Sequence, residues 1–298
     1  MSRPEVSVVV PVFNNATTLG ELIDRQVVVL EKLGVSFELI FVDDGSRDES
    51  LALLRRRAEA DPRVRVFALT RNFGGQSAIC AGFDQVRGRR TACMDADLEN
   101  FPEDIPRLLA GLDRGHDLVC GVRESRRGPW LTRRLPSKLV NAYVRRQTGT
   151  TVRDVGCAMR AMESRLIHDL ASEGEKRRLI TPLLLRRALS VTEVPIQHRP
   201  KTGPGGHSFF TLLGIAMDYY LLTAKRPFLV SGVVAGLATA AGAGVLLLGE
   251  DVTPGLVLLA AGLLGGLLSL VGEYAQRLYQ IGQGLPFYQL RDDLGEEE

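Results

Sequence analysis

Two long uncharged apolar runs near the end of the chain constrain its architecture more than any other feature. They cover Phe228–Leu248 and Val252–Val271, and each has about the 20 residues that a helix needs to span the hydrocarbon core of a bilayer. A short acidic link, Gly249–Asp251, joins them. The pattern predicts a two-helix transmembrane hairpin over residues 227–275. A buried helical hairpin inside a soluble protein is the alternative interpretation.

Basic residues flank this predicted hairpin. Lys225 and Arg226 precede the first run, and Arg277 follows the second. Because positively charged flanks favour the cytoplasmic side, we expect a multi-pass inner-membrane protein with its polar body and both termini in the cytoplasm. Residues 276–298 would then form a cytoplasmic tail. Residues 206–226 are apolar with two adjacent tyrosines, which is typical of an amphipathic interfacial helix, although an ordinary domain helix is the alternative.

Residues 1–205 alternate short β-branched runs with helical patterns, which predicts an α/β domain with a Rossmann-like, mostly parallel sheet. The predicted strands are Val6–Val10, Phe37–Val42, Val64–Leu69, Thr91–Met94 and Leu118–Val122. The predicted helices are Thr17–Leu33, Asp48–Ala60 with a capping box from Ser46 to Glu49, Gly75–Val86 and Pro102–Arg114. Ligands of such sheets bind at the carboxyl ends of the strands.

Composition excludes several other classes of protein. The formal net charge is only +2, which gives no argument for a nucleic-acid partner. The four cysteines form no CxxC pair, so neither a zinc site nor a thioredoxin-like motif is expected. Single cysteines in apolar runs fit a reducing compartment better than a disulfide scaffold.

Two acidic clusters follow predicted strands at the same edge of the sheet. Asp43 and Asp44 follow the second strand, and Asp95, Asp97 and Glu99 follow the fourth. Hard cations prefer oxygen ligands, and Mg²⁺ commonly binds one or two carboxylates together with substrate phosphates. The D-x-D spacing points two carboxylates along one side of the chain, which predicts a divalent-cation site. For the first cluster, ordinary turn chemistry is the alternative.

Six motifs occur in order along the chain: PVFNN, FVDDGSRDES, RNFGGQSAICAGF, MDADLENFPEDIP, GVR and DVGCAMR. In this order they resemble family 2 glycosyltransferases, specifically the dolichyl-phosphate mannose synthase branch and the bacterial undecaprenyl-phosphate sugar transferases. The resemblance covers nearly the whole chain, including both apolar runs. It implies the GT-A fold and the inverting transfer of one sugar from a UDP- or GDP-linked nucleotide-sugar to a polyprenyl phosphate, with Mg²⁺ or Mn²⁺ as cofactor. Relatives that assemble through the tail make a homotetramer plausible.

The resemblance also implies roles for individual residues, carried over by position. The implied nucleotide-sugar contacts are Pro11, Asn14, Asp43, Asp44, Asp95, Arg199 and Ser208. The implied acceptor-phosphate contacts are Arg123, Arg133 and Ser137, and the implied metal ligands are Asp95, Asp97 and Glu99. The implied catalytic residues are Asp97, Asp154, Arg123 and Arg133. Relatives usually carry glutamine where this chain has Glu99, so the predicted metal site has an extra negative charge.

One segment departs from the family pattern. Arg199 and Gly206–Ser208 resemble the part that closes over the donor diphosphate, but Phe209 and Phe210 replace a lysine and a tyrosine. His207 or Lys201 could substitute for the lost phosphate contact.

Three other functions remain as alternatives: a processive polysaccharide synthase, a glycosyltransferase with another membrane acceptor, and a catalytically silent membrane scaffold. The single tryptophan, Trp130, lies outside the Q/R-x-x-R-W context of processive synthases. The retained acidic clusters argue against a silent scaffold.

Overall fold

The computed structural model describes residues 3–123, most of 141–199, scattered positions between 257 and 278, and residues 288–291. Three predicted site residues, Arg133, Ser137 and Ser208, lie outside the described residues. The predicted interfacial helix and the first predicted span also lie outside them.

The chain divides into two compact units. One comprises Met1–Leu213 together with Phe287–Glu298, and the other comprises Gly214–Pro286. In the second unit, the described positions between 257 and 278 are helical. Across the described part of the chain, no helix combines the length and the apolar content needed to cross a bilayer. The transmembrane hairpin and the predicted boundaries at residues 205, 226 and 275 stay predictions.

A seven-stranded sheet forms the centre of the first unit. Its strands are β1 (Val6–Val12), β2 (Phe37–Asp43), β3 (Val64–Ala68), β4 (Arg90–Cys93), β5 (Leu118–Arg123), β6 (Arg160–Glu163) and β7 (Val191–Ile196). Their order across the sheet is β3-β2-β1-β4-β6-β5-β7. All pairs are parallel except those of β6, which runs antiparallel to both β4 and β5. The predicted α/β class with a mostly parallel sheet is confirmed.

Helices lie against both faces of this sheet. They are α1 (Ala16–Leu33), α2 (Ser50–Ala60), α3 (Gly75–Asp84), α4 (Ile105–Asp113), α5 (Arg165–His168) and α6 (Ile180–Arg187), with a 3₁₀ turn at Pro102–Asp104 before α4. Val8 on one face of β1 belongs to the core that includes Leu22 of α1. Val9 on the opposite face lies against Gly82 of α3, where an added Cβ would approach the valine to 2.4 Å. Burial on both faces explains why the sequence of β1 is apolar at nearly every position.

The predicted capping box of α2 is wrong. The helix begins at Ser50, and its N-cap residue, Glu49, makes no side-chain cap hydrogen bond. Ser46 Oγ instead accepts the N–H of Asn14 at 3.0 Å, and Asp48 Oδ1 accepts the N–H of Ser50 at 3.0 Å. Because the loop after β1 engages Ser46, an aspartate satisfies the first turn of the helix in its place.

Candidate active site

The carboxyl ends of β1, β2 and β4 open onto a cavity of about 300 Å³. Parallel strands that end at one sheet edge bring their following loops together there. Predicted site residues that line the cavity are Pro11, Asp44, Asp95 and Asp97, and the connection between β3 and α3 adds Asn72 and Gly74. The structure therefore brings one acid of the first cluster and two of the second to one cavity, as their positions after β2 and β4 predicted.

The D-x-D segment directly follows β4 and is held in a tight turn. Asp97 Oδ1 accepts the N–H of Glu99 at 3.0 Å. Leu98 between them has a φ of 55°, a left-handed conformation that is strained for a branched residue and that tends to occur at functional sites. Burial, followed by the neighbouring charge of Asp97, raises the pKa of Asp95 to about 6. This turn therefore places the carboxylates of Asp95 and Asp97 near each other, and ionisation of Asp95 is disfavoured.

The predicted metal ligands differ in their relation to the cavity. Asp95 and Asp97 line it, whereas Glu99 does not, although the charge of Glu99 contributes to the raised pKa of Asp95. Among the described residues, no group of three or more His, Cys, Asp or Glu side chains is arranged to share an ion. Two carboxylates still fit a hard divalent cation that takes its remaining ligands from water and substrate phosphates. A cation there would stabilise the ionised form of Asp95.

The two aspartates at the end of β2 have different surroundings. Asp44 lines the cavity and accepts the N–H of Phe73 at 2.7 Å and that of Gly74 at 2.9 Å, and burial raises its pKa. Asp43 is 1% exposed and accepts the N–H of Ser46 at 3.1 Å through one oxygen. Its other oxygen finds no hydrogen-bond partner within the described residues. Asp44 thus holds the β3–α3 connection at the cavity, and Asp43 shapes the turn after β2.

Gly45 allows two loops of the cavity to approach closely, which the sequence did not reveal. Its φ is +71°, and a Cβ on it would lie 2.8 Å from the backbone of both Arg71 and Asn72. Only glycine meets both requirements without strain. The DDGS motif indicated a turn at this position, but nothing in it identified which backbone the turn would touch.

Asn14 and Arg199 support the site from its two sides. Asn14 has a φ of 53°, and its Oδ1 accepts the N–H of Arg47 at 2.8 Å, which ties the loop after β1 to the loop after β2. Asn14 itself does not line the cavity. The N–H of Arg199 donates to the carbonyl of Glu99 at 2.8 Å, so the chain after β7 runs beside the D-x-D segment.

Arg123 and Asp154 form an ion pair at the end of β5. Arg123 Nε and Nη2 donate to the two carboxylate oxygens of Asp154 at 2.7 and 2.9 Å, and both side chains are largely buried. Burial lowers the pKa of the Arg123 guanidinium, whereas the hydrogen bonds to Asp154 raise it. The net result is a pKa above the ordinary value. The charge of Arg123 also opposes the raised pKa of Asp95. The motifs predicted both residues at the site but not their pairing.

Arg160 is a supporting residue that the sequence analysis did not single out. It is 5% exposed, donates to Thr181 Oγ1 at 2.6 Å and to the carbonyl of Cys157 at 2.8 Å, and lies opposite Cys93 across the sheet. Its charge opposes the raised pKa of Asp95. The final arginine of the DVGCAMR motif was the available signal, because a charge in an apolar strand needs a partner.

Comparisons with known proteins agree with this geometry. The sequence profile described as "Glycosyl transferase family 2" matches residues 7–170. The chain is 33% identical over 303 residues to an undecaprenyl-phosphate 4-deoxy-4-formamido-L-arabinose transferase from Edwardsiella ictaluri, covering 95% of this chain and 92% of that protein. A protein of the same name from Pseudomonas paraeruginosa is 38% identical over 240 residues, covering 80% of this chain and 70% of that protein.

A solved structure shares the fold. It is the glucosyl-3-phosphoglycerate synthase from Mycobacterium tuberculosis in complex with Mn²⁺, uridine diphosphate and glucosyl-3-phosphoglycerate. The TM-score is 0.50 at 20% sequence identity, and the match covers 75% of this chain and 80% of that chain.

Proposed function

Because the chain belongs to glycosyl transferase family 2 and is a glycosyltransferase, we propose that it transfers one sugar from a UDP- or GDP-linked donor to an undecaprenyl-type polyprenyl phosphate. The observation that carries the proposal is the pair of carboxylates, Asp95 and Asp97, in a cavity at the carboxyl ends of parallel strands. The two curated relatives, which are named as undecaprenyl-phosphate transferases, support the choice of acceptor.

The donor half of the site suits a nucleoside diphosphate bound with a metal. Asp95 and Asp97 would hold Mg²⁺ or Mn²⁺, and the ion would supply electrostatic stabilisation of the departing diphosphate. The amino end of α3, at Gly75, borders the same cavity and adds the partial positive charge of a helix N-terminus. The Mn²⁺ and uridine diphosphate bound to the mycobacterial neighbour favour the same arrangement.

The acceptor needs little activation because a polyprenyl phosphate is already an anion. A single in-line displacement at the anomeric carbon would therefore suffice, and it inverts the configuration. Arg123 is the described residue best suited to the acceptor phosphate, because a guanidinium fork matches phosphate oxygens. Asp154 would orient that guanidinium through its two hydrogen bonds. Arg133 and Ser137 stay proposed partners of the same phosphate.

We also propose that the enzyme works at the cytoplasmic face of the inner membrane. Val257, Leu264 and Leu268 in the second unit are each more than half exposed, and such apolar surface fits contact with lipid. In intact cells, a cysteine at Asp251 should react with a membrane-impermeant reagent, and a cysteine at Glu298 should not. The opposite labelling pattern would reverse the topology and exclude a cytoplasmic donor.

A transfer assay tests the proposed function directly. Membranes containing the protein receive a panel of radiolabelled nucleotide-sugars, added undecaprenyl phosphate and Mn²⁺. We expect one donor to give a lipid-linked monosaccharide. Asp24→Asn serves as the matched control for changes at the cavity, because Asp24 is an exposed partner of Arg57 on α2. Label in a polymer would favour a processive synthase, label in another lipid would favour a different acceptor, and no label from any donor would favour a silent scaffold.

A further inference from the structure

A short segment near the end of the sequence pairs with an edge strand of the catalytic domain. Residues 288–291, here named the tail segment, belong to the same compact unit as the sheet. Leu290 forms an antiparallel bridge with Leu69. Two backbone hydrogen bonds flank the bridge, from Thr70 N–H to Gln289 O at 2.9 Å and from Arg291 N–H to Ala68 O at 2.8 Å. Since β3 is the edge strand, the tail segment satisfies backbone groups that an edge would leave unpaired.

The same segment is attached to the far end of α3 by side chains. The hydroxyl of Tyr288 donates to Asp84, the last residue of α3. Arg177 Nη2 donates to both oxygens of Asp84 at 2.8 Å and to the carbonyl of Cys80 at 3.1 Å. The Arg177 guanidinium also lies 5.9 Å from the centroid of the Tyr288 ring. Since Arg177 is 5% exposed, Asp84 joins the tail segment to a buried cation.

Between these two attachments lies the connection that lines the donor cavity. Thr70, which pairs with the tail segment, stands two residues before Asn72, and both Asn72 and Gly74 line the cavity. On its inner side, this connection is held by Asp44 and approached closely by Gly45. The connection between β3 and α3 is therefore held at Thr70 by the tail segment and at Phe73 and Gly74 by Asp44.

We propose that the tail segment is a positioning element of the donor cavity. It fixes Thr70 and Asp84, so that Asn72 and Gly74 keep the positions in which they meet the nucleotide-sugar. The proposal rests on the proposed function for the identity of that ligand. It assigns a task in donor binding to residues that follow the second predicted span in the sequence, and the sequence alone identified these residues only as a tail.

Two variants of Arg291 separate the contribution of its backbone hydrogen bond from that of its side chain. Arg291→Pro removes the N–H that donates to Ala68, whereas Arg291→Ala keeps it. Tyr288→Phe removes only the hydroxyl that binds Asp84 and serves as a milder variant should the proline prevent folding. Each is prepared as the full chain in detergent and compared with the wild type in hydrogen exchange at residues 69–75 and in the Michaelis constants of both substrates.

Arg291→Pro should speed exchange at Thr70 and raise the Michaelis constant of the nucleotide-sugar, each by about two- to tenfold, as the loss of one hydrogen bond predicts. Tyr288→Phe should raise the donor constant in the same direction, and Arg291→Ala should raise it less than the proline does. In all three variants the Michaelis constant of the polyprenyl phosphate should stay unchanged.

The proposal fails if Arg291→Pro behaves like Arg291→Ala, or if the constants of both substrates change together with the melting temperature. The second outcome would make the tail segment a general staple of the fold. A wild-type protein that transfers no sugar to polyprenyl phosphate would instead contradict the proposed function. The affinity for UDP or GDP with Mn²⁺ and the exchange rates at residues 69–75 would still test the tail segment in that case.

Discussion

The two halves of the carboxyl edge of the sheet differ in how their charged side chains are arranged: one half gathers carboxylates, and the other contains an ion pair. The half after β2 and β4, here called the donor half, is where we propose that the nucleotide-sugar binds; Asp44, Asp95 and Asp97 converge there on one cavity, and burial raises the pKa of Asp44 and Asp95. The half after β5, here called the acceptor half, is where we propose that the lipid phosphate binds; Arg123 and Asp154 form an ion pair there through two hydrogen bonds. An added cation would therefore stabilise the ionised carboxylates of the donor half, whereas the arginine of the acceptor half is already held by a carboxylate.

The order of the strands explains this difference. β1, β2 and β4 are parallel neighbours, so their carboxyl ends gather like-charged loops at one edge. Between β4 and β5 the sheet inserts the antiparallel strand β6. The segment that enters β6 carries Asp154 to the carboxyl end of β5, where it meets Arg123. One edge thus contains a cluster of carboxylates, which we propose binds a cation, beside an arginine–aspartate ion pair.

The largest expected effect comes from removing a carboxylate on the donor half. Asp97→Asn keeps the size of the side chain but removes its charge, so the proposed divalent cation would lose an anionic ligand and the departing diphosphate would lose stabilisation. We expect transfer to fall by about a thousandfold, with excess EDTA producing a similar loss in the wild type. Radiolabel transfer measures both, the variant at saturating Mn²⁺ and the wild type in excess EDTA, with Asp24→Asn as the control. Full turnover of Asp97→Asn, or of the wild type in EDTA, would remove the metal from the mechanism.

A smaller effect is expected on the acceptor half. Arg123→Ala would remove the proposed charge-assisted contact to the lipid phosphate, which should cost about 1.5–3 kcal/mol, or roughly ten- to a hundredfold in the Michaelis constant of polyprenyl phosphate. Arg123→Lys should restore only part of this, since an ammonium lacks the planar fork. Donor affinity, measured by calorimetry with UDP or GDP and Mn²⁺, should remain unchanged. If donor affinity falls instead, Arg123 serves the diphosphate and the two halves share one ligand.

Variants of Asp154 test whether this carboxylate acts only through Arg123. If it acts only by orienting Arg123, then Asp154→Asn should add little to the loss already caused by Arg123→Ala. If it performs chemistry of its own, the losses should multiply in the double variant. A double-mutant cycle in both the turnover number and the lipid constant measures the coupling.

The donor half could be predicted from the sequence because each acid lies next in the chain to the strand that positions it. The strands Val6–Val12 and Phe37–Asp43 are largely apolar, and an acid at the end of such a strand or directly after it must lie at the carboxyl edge of the sheet. Because these acids lie at the ends of buried strands, the burial and the raised pKa values of Asp44 and Asp95 follow from the same position in the sequence. The contact of Gly45 with Asn72 could not be predicted, because it depends on how two separate loops meet.

The remaining features depend on contacts between distant residues, which no local pattern encodes. The strand Arg160–Glu163 is short, and its antiparallel direction follows from its neighbours rather than from its sequence. Tyr288 and Asp84, 204 residues apart, have no motif that links them. The capping box failed for a similar reason, since Ser46 bonds across the loops to Asn14.

A substitution at Gly45 tests whether the donor half depends on the close approach of two backbone segments. Gly45 and Gly34 have nearly the same backbone, with φ of +71° and +72°, but only a Cβ at Gly45 would meet other backbone, at 2.8 Å. Gly34→Ala therefore measures the backbone strain alone, about 1 kcal/mol of stability. Gly45→Ala should lose as much and also weaken donor binding by about tenfold, a cost of about 1.4 kcal/mol. Equal donor affinities in the two variants would show that the contact with Asn72 does not shape the cavity.

The smallest expected effect is the pH dependence that the crowded donor half imposes on stability. Burial and the neighbouring charge of Asp97 raise the pKa of Asp95 in the folded protein to about 6, from an ordinary value of 3.8. The folded protein therefore binds this proton more readily than the unfolded chain does. The resulting stabilisation is present in full below pH 3.8 and is lost as the pH rises through about 6. Without metal, lowering the pH from 7 to 5 should stabilise the fold through Asp95 by about 1 kcal/mol.

Thermal unfolding of the wild type and of Asp95→Asn across this pH range isolates the contribution, because other carboxylates titrate in both proteins. Mn²⁺ with UDP or GDP should reverse the trend in the wild type, since the ion binds the ionised carboxylate and its affinity must fall as protons compete below about pH 6. The acceptor half, with its ion pair already formed, should show no such reversal when polyprenyl phosphate is added without metal. A wild type and an Asp95→Asn variant with identical pH profiles would mean that the charge on Asp95 is already compensated, and the contrast between the two halves would then disappear.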